Sequence, residues 1–152
     1  MGDPSTPQFR RAVVALSGGR TDRRIVSLAA EAAKAGHAEL LGVHVVEIDW
    51  TLPLDADIAS RSEEVQRVLD TAESIAEDYK VTLEPVLLQA RDVAAAIVDE
   101  TTERAADLLV VGLPYRKRFG GEFAIGKTVP YILQNAPCTV WVVRDPITEE
   151  ST

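Results

Sequence analysis

What this chain has little of narrows its chemistry first. Cys138 is the only cysteine, so no intrachain disulfide can form, and such usage suits a reducing cytoplasm. His37 and His44 are the only histidines and do not sit in a ligand-spaced cluster, so no metal site is assigned. No apolar run approaches the roughly 20 residues that span a bilayer. Positive charge is scarce: 16 Lys and Arg face 24 Asp and Glu, a formal net charge of −8. A molecule of that charge does not seek nucleic acid or an anionic lipid surface. No Ser-His-Asp order and no paired carboxylates stand out, so no catalytic residue is assigned. There is no internal repeat and no low-complexity segment. What remains is a 152-residue chain, 46% hydrophobic, long enough for one domain with its own core.

Apolar patterning divides the chain into alternating elements. Ala12 to Leu16 is a short apolar run ending at Ser17-Gly18-Gly19, the pattern of a buried strand. Ile25, Val26, Ala29, Ala32 and Ala33 recur at helical spacing, and Gly36 is the expected stop. Glu39 to Val46 reads as a second strand. Ile58, Val65, Val68, Leu69, Ala72, Ile75, Ala76 and Tyr79 form the stripe of a long amphipathic helix. Its acidic residues, from Glu63 to Asp78, form the solvated face. Val81 to Leu88 is a third strand. Asp92 can cap a helix running to about Arg104, with Val93, Ala96, Ile97 and Glu100 along one side. Leu108 to Val111 is a fourth strand, a last helix runs from about Lys127 to Asn135, and Thr139 to Val143 is a fifth strand. Pro130 falls in the first turn of that helix, where a missing N–H costs nothing. The domain is expected over residues 11–145, between polar tails at 1–10, expected to be disordered and not a signal peptide, and at 146–152.

Strands alternating with helices predict an α/β fold: an open five-stranded parallel sheet with helices on both faces. Winding outward from the first strand and then reversing gives the order 3-2-1-4-5. The loops after strands one and four then face each other at the switch point, where ligands of open α/β sheets bind. Those loops are the glycine-rich ones. The second runs Pro114-Tyr115-Arg116-Lys117-Arg118-Phe119-Gly120-Gly121 and leads to Gly126-Lys127-Thr128 at a helix start. Backbone N–H groups there can point at an anion, and glycines allow close approach. Seven of the 16 Lys and Arg fall in or just after these loops: Arg20, Arg23, Arg24, Arg116, Lys117, Arg118 and Lys127. A locally positive mouth on an acidic protein is expected. His44, among apolar neighbours, and Cys138, after a proline at a strand start, read as structural residues.

From Arg11 to Arg144 the chain resembles the universal stress protein family. The residues that carry the likeness are Gly42-Val43-His44-Val45-Val46, Val110-Val111-Gly112, and Asn135-Ala136-Pro137-Cys138 leading into Val140-Trp141-Val142-Val143-Arg144. In ATP-binding members strand four is followed by Gly, two residues, Gly, nine residues, then Gly and Ser or Thr. Gly112 and Gly126 match the ends of that pattern. Tyr115 replaces the middle Gly, the spacing to Gly126 is one residue longer, and Lys127 takes the Ser/Thr place with Thr128 behind it. Ser17 stands where many members carry Asp. The resemblance implies that Val45 touches adenine, that Leu16 and Ser17 line base and ribose, and that Gly112, Gly126, Lys127 and Thr128 hold ribose and phosphates. The ligand it implies is ATP, with Mg, or another adenine nucleotide: AMP, a cyclic nucleotide or a dinucleotide. The implied role is a sensor or regulator, at most a weak ATPase, assembled as a homodimer through strand Thr139–Val143.

Two further matches bear on the same loops. Gly121 to Thr128 fits the P-loop expression letter for letter, but eight residues separate it from Gly112, whereas a P-loop leaves its strand directly. Ser17-Gly18-Gly19 resembles the pyrophosphate loop of ATP pyrophosphatases, with Asp22 one residue late and Arg23 in place of the final Ser. Both readings again place phosphate near Ser17–Gly19 and Gly126–Thr128. The segment Arg118 to Phe123, with Trp141, is similar to stress-protein domains appended to amino-acid permeases, which implies an alternative role as a regulatory domain acting on a membrane transporter.

Overall fold

A computed structural model describes residues 9–53, 62–115 and 125–147. Five strands alternate with four helices: β1 (Arg11–Leu16), α1 (Thr21–Gly36), β2 (Glu39–Glu47), α2 (Glu63–Asp78), β3 (Leu83–Ala90), α3 (Val93–Glu103), β4 (Leu108–Leu113), α4 (Thr128–Asn135) and β5 (Thr139–Arg144). The strands form one parallel sheet in the order β3-β2-β1-β4-β5, the order the patterning predicts.

The central strands are apolar on both faces because helices cover both. Successive strand residues point to opposite sides. Ala12, Val14 and Leu16 of β1 pack with Ile25, Val26 and Ala29 of α1 and with Leu69, Ala72 and Ile75 of α2. Val13 and Ala15 pack the other way, with Ile97 and Val98 of α3 and Val129 and Ile132 of α4. Burying an aliphatic side chain of this kind stabilises the fold by about 1.5–3 kcal/mol. Parallel pairing in register, Leu16 opposite His44 and Ala15 opposite Val111, brings the strand ends together at one rim. β3 lies at one edge, which suits Pro85: proline lacks the donor that a central strand needs. β5 lies at the other edge. No helix among the described residues is long and apolar enough to cross a membrane.

Helix boundaries depart from the patterning in small, explicable ways. Gly36 is the last residue of α1, not its cap. His37 takes the left-handed turn with φ +55°, and its N–H reaches the Ala33 carbonyl. The third strand begins two residues later than expected because the chain first turns at Lys80, φ +63°, with the Val81 N–H still bound to Ala76 O. In α3 the buried residues are Ala94, Ile97, Val98 and Thr101, so the inward stripe is rotated from the expected Val93, Ala96, Ile97 and Glu100. Asp92 caps this helix as expected, accepting from Ala95 N at 3.1 Å. Glu100 instead accepts from Arg104 Nε, one turn on. Ile58 lies outside the described residues.

Candidate functional site

At the C-terminal ends of β1 and β4 the sheet opens into a cavity of about 320 Å³. Ala15, Leu16 and Ser17 form one wall, and Gly112, Leu113 and Pro114 another. The start of α4, from Ile125 through Gly126, Lys127 and Thr128 to Val129, closes the outer side. Val93 and Ile97 of α3 form an apolar floor, and Asp22 of α1 contributes a carboxylate. The volume falls in the range of small-molecule sites, and the lining is apolar with a few polar groups.

Two glycines shape this cavity for different reasons. A Cβ on Gly112 would lie 2.7 Å from Thr21 Cγ2, so this position is bare because α1 crosses β4 there. Gly126 has φ +78°, a conformation side chains rarely adopt, and a Cβ there would meet nothing within 4 Å. At Gly126 the bare backbone faces the cavity itself.

The sequence-derived site residues divide accordingly. Leu16, Ser17, Gly112, Gly126, Lys127 and Thr128 come together around the cavity. Gly18 and Gly19 line a groove between α1 and α2, and Asp22, bonded to Gly18 N, borders both this groove and the cavity. Val45 is buried in β2 among the residues packed toward α3 and α4 and is not part of the cavity wall. Arg116 lies outside the described residues, as do Lys117, Arg118 and the permease-like segment through Phe123.

The expected positive mouth is not built from the β1 loop. Arg20 and Arg24 each bring Nε to 3.7 Å from Asp145, and Arg23 lines the α1–α2 groove. Asp145 is 8% exposed and accepts from the Thr21 hydroxyl at 2.8 Å. Of the described cations in the two loops, Lys127 alone lines the cavity. It has no ion-pair partner among the described residues.

The β1–α1 loop also spends its own donors. The Asp22 carboxylate accepts from Ser17 N at 2.9 Å, from Gly18 N at 2.8 Å and from the Ser17 hydroxyl at 3.2 Å. Gly19 N donates to Ser17 Oγ at 3.1 Å. Sequence reasoning passed over Asp22 as a misplaced pyrophosphatase residue and missed Asp145. The available signal was an acidic residue in a helix first turn, three residues after a glycine pair.

His44 and Cys138 take structural positions. His44 is buried, and its Nδ1 donates to the Leu16 carbonyl at 2.8 Å, which fixes the end of β1. Burial pushes the Cys138 thiol up, assisted by the nearby Asp107 charge, away from the reactive thiolate.

A model of the universal stress protein family matches residues 8–144. The chain belongs to that family. No curated protein matches this universal stress protein. Solved structures share its fold. A family protein from Burkholderia pseudomallei is 28% identical, with 90% of this chain and 96% of that one covered and a TM-score of 0.65. The universal stress protein of Archaeoglobus fulgidus, solved with dAMP, is 23% identical, with 88% and 97% covered and a TM-score of 0.69. A family protein from Arabidopsis thaliana, solved with AMP bound, is 17% identical, with 92% and 94% covered and a TM-score of 0.64.

Proposed function

We propose that this universal stress protein is a sensor or regulator that binds an adenine nucleotide in the cavity between β1, β4 and α4. The observation that carries the reading is the meeting, at one strand-end cavity, of an apolar floor, the bare Gly126 backbone, Lys127 and the first turn of α4. In this reading the N–H groups opening α4 and the Thr128 hydroxyl hold a phosphate and Lys127 adds charge, since Gly126, Lys127 and Thr128 all line the cavity at a helix start. Leu16, Val111 and Ile97 offer apolar surface to a base. The relatives solved with dAMP and AMP support the same ligand class. The test is mass spectrometry of nucleotide released from freshly purified, denatured protein, with calorimetric titration of AMP, ATP and adenosine. Saturable binding of an adenine nucleotide is expected; no binding of any of the three would refute the reading.

We infer a two-fold homodimer through β5 as its assembly. Among the described residues β5 pairs only with β4, and Val142 on it is 37% exposed. An open edge without Lys or Pro invites pairing, and a two-fold contact closes it. Trp141 stacks edge-to-face on Phe9, ring centroids 5.9 Å apart, so a change there would disturb the core. Val142→Lys is the cleaner probe: it should convert a dimer to a monomer in sedimentation at tens of micromolar protein. A wild-type monomer at that concentration would overturn the inference.

A further inference from the structure

The cavity has two charged sides of opposite sign, and the anionic side is held by the fold. Asp22 enters from the first turn of α1 and takes the two backbone N–H groups that follow β1, those of Ser17 and Gly18. Gly18 has φ +87°, which turns successive N–H groups toward one point. Such a concave set of donors is an anion seat, and here the anion is the protein's own carboxylate. Of the neighbouring arginines, Arg20 and Arg24 face Asp145, and Arg23 lines the α1–α2 groove and not the cavity. On the opposite side stands Lys127 at the start of α4.

We propose that Asp22 is a specificity-determining residue: its carboxylate fills the anion seat of the β1–α1 loop and restricts the cavity to a nucleotide with a single phosphate group. This rests on the nucleotide reading above. One phosphate fits the α4 end, where donors and Lys127 receive it. A β- or γ-phosphate extending across the cavity meets Asp22. It must then displace the carboxylate from Ser17 N and Gly18 N or lie beside a like charge. Ribose hydroxyls are donors, and they can face Asp22 and Ser17 without conflict. Asp22 thus sets both the length of the phosphate chain and the direction in which the nucleotide lies.

The experiment compares AMP and ATP on the wild type, Asp22→Asn and Asp22→Ala by calorimetric titration. Wild type should favour AMP. Asp22→Ala should shift the AMP-to-ATP affinity ratio toward ATP at least tenfold. Asp22→Asn keeps the side-chain shape and an acceptor for the loop, and it should move the ratio the same way by a smaller factor. It serves as the probe if the alanine variant does not fold. An unchanged ratio, or a wild type that binds ATP as well as AMP, would overturn the proposal. A second arm needs no adenine: inorganic pyrophosphate should shift the Ser17 and Gly18 amide resonances saturably in the variants but not in wild type. If no nucleotide binds any form, the nucleotide reading has failed and the pyrophosphate arm decides the role of Asp22. Amides that do not respond in the variants would overturn it.

Discussion

Helices α1 and α4 start at the same rim of the sheet, after the neighbouring strands β1 and β4, and neither N-cap residue, Arg20 or Lys127, supplies a side-chain acceptor. Helices α2 and α3 are capped within their own segments, by Ser62 and Asp92. At α1 two carboxylates instead gather beside the helix start: Asp22 takes the N–H groups of Ser17 and Gly18 in the preceding loop, and Asp145 takes the Thr21 hydroxyl and faces two arginines. At α4 no carboxylate from the described residues plays that part, and Lys127 lines the cavity. The two loops look alike as sequence, glycine-bearing and basic, yet one is closed by the protein's own anions. A helix start beside a cation has a use for an external anion; one already flanked by the protein's own carboxylates repels it.

Breaking the closed end should have the largest effect, and it should fall on stability. Gly112→Val drives a branched side chain into Thr21, where a Cβ alone would lie 2.7 Å from Cγ2. Overpacking of this kind costs about 3 kcal/mol at the upper end of its usual range. Urea unfolding should show the midpoint falling accordingly. A variant of wild-type stability that has lost nucleotide binding would instead make Gly112 a ligand contact. Asp145→Ala should cost slightly less, about 2 kcal/mol, because the buried Thr21 hydroxyl loses its acceptor and Arg20 and Arg24 lose their counter-charge. Wild-type stability in this variant would mean that the α1 start needs no tertiary carboxylate.

Gly126→Val should produce the opposite profile. The fold bears only local strain, about 1 kcal/mol, since a side chain at φ +78° meets no neighbouring atom. Nucleotide affinity should fall at least about tenfold, roughly 1.4 kcal/mol, because the side chain enters the cavity. Calorimetry and urea unfolding on the same preparation separate the two quantities. Lys127→Ala sharpens the comparison further. It should weaken AMP a few-fold and leave adenosine unchanged, since only a phosphate feels the charge. Equal losses for AMP and adenosine would place the phosphate away from α4.

The fold was legible in the sequence because its signals are redundant. Each strand is an apolar run bounded by turn residues, Asp92 announces α3, and Pro85 marks an edge. Strand order followed from the winding rule, with no need of contacts. The site was legible on the α4 side, where Gly126, Lys127 and Thr128 are contiguous. It was less legible on the β1 side, because what matters there is who satisfies whom. A run of Ser, Gly, Gly and Arg does not reveal that Asp145, far along the chain, collects two of the arginines, or that Asp22 folds back onto Ser17 and Gly18. Thr21 was invisible for the same reason: its contact with Gly112 depends on how α1 crosses β4. Long-range charge pairing has no period in sequence.

The pattern seen at Asp22, one carboxylate gathering two backbone N–H groups, recurs at the opposite end of the sheet, and there it can be titrated. Asp107 accepts from Arg10 N at 2.9 Å and from Arg11 N at 3.0 Å, tying the entry of β1 to the entry of β4. Burial alone would raise its pKa. The N–H groups of Arg11, Arg10 and Asp107 itself outweigh that and hold the carboxyl below the ordinary aspartate value of 3.8. A folded-state pKa below the unfolded one contributes stability above the unfolded value, and that stability is lost as pH falls through the folded value. Wild type should therefore hold its advantage over Asp107→Asn at neutral pH and lose it below about pH 4. Asp107 is exposed to solvent, so the gap at neutral pH should be small, about 0.5–1 kcal/mol. Urea unfolding of both proteins near neutral pH and near pH 3 measures it. A gap that does not narrow in acid would mean that the wild-type advantage does not come from the ionised carboxylate. The ionised state would then contribute nothing at this end of the sheet, and carboxylate charge, as distinct from a mere acceptor, would matter only at the other rim, at Asp22 and Asp145.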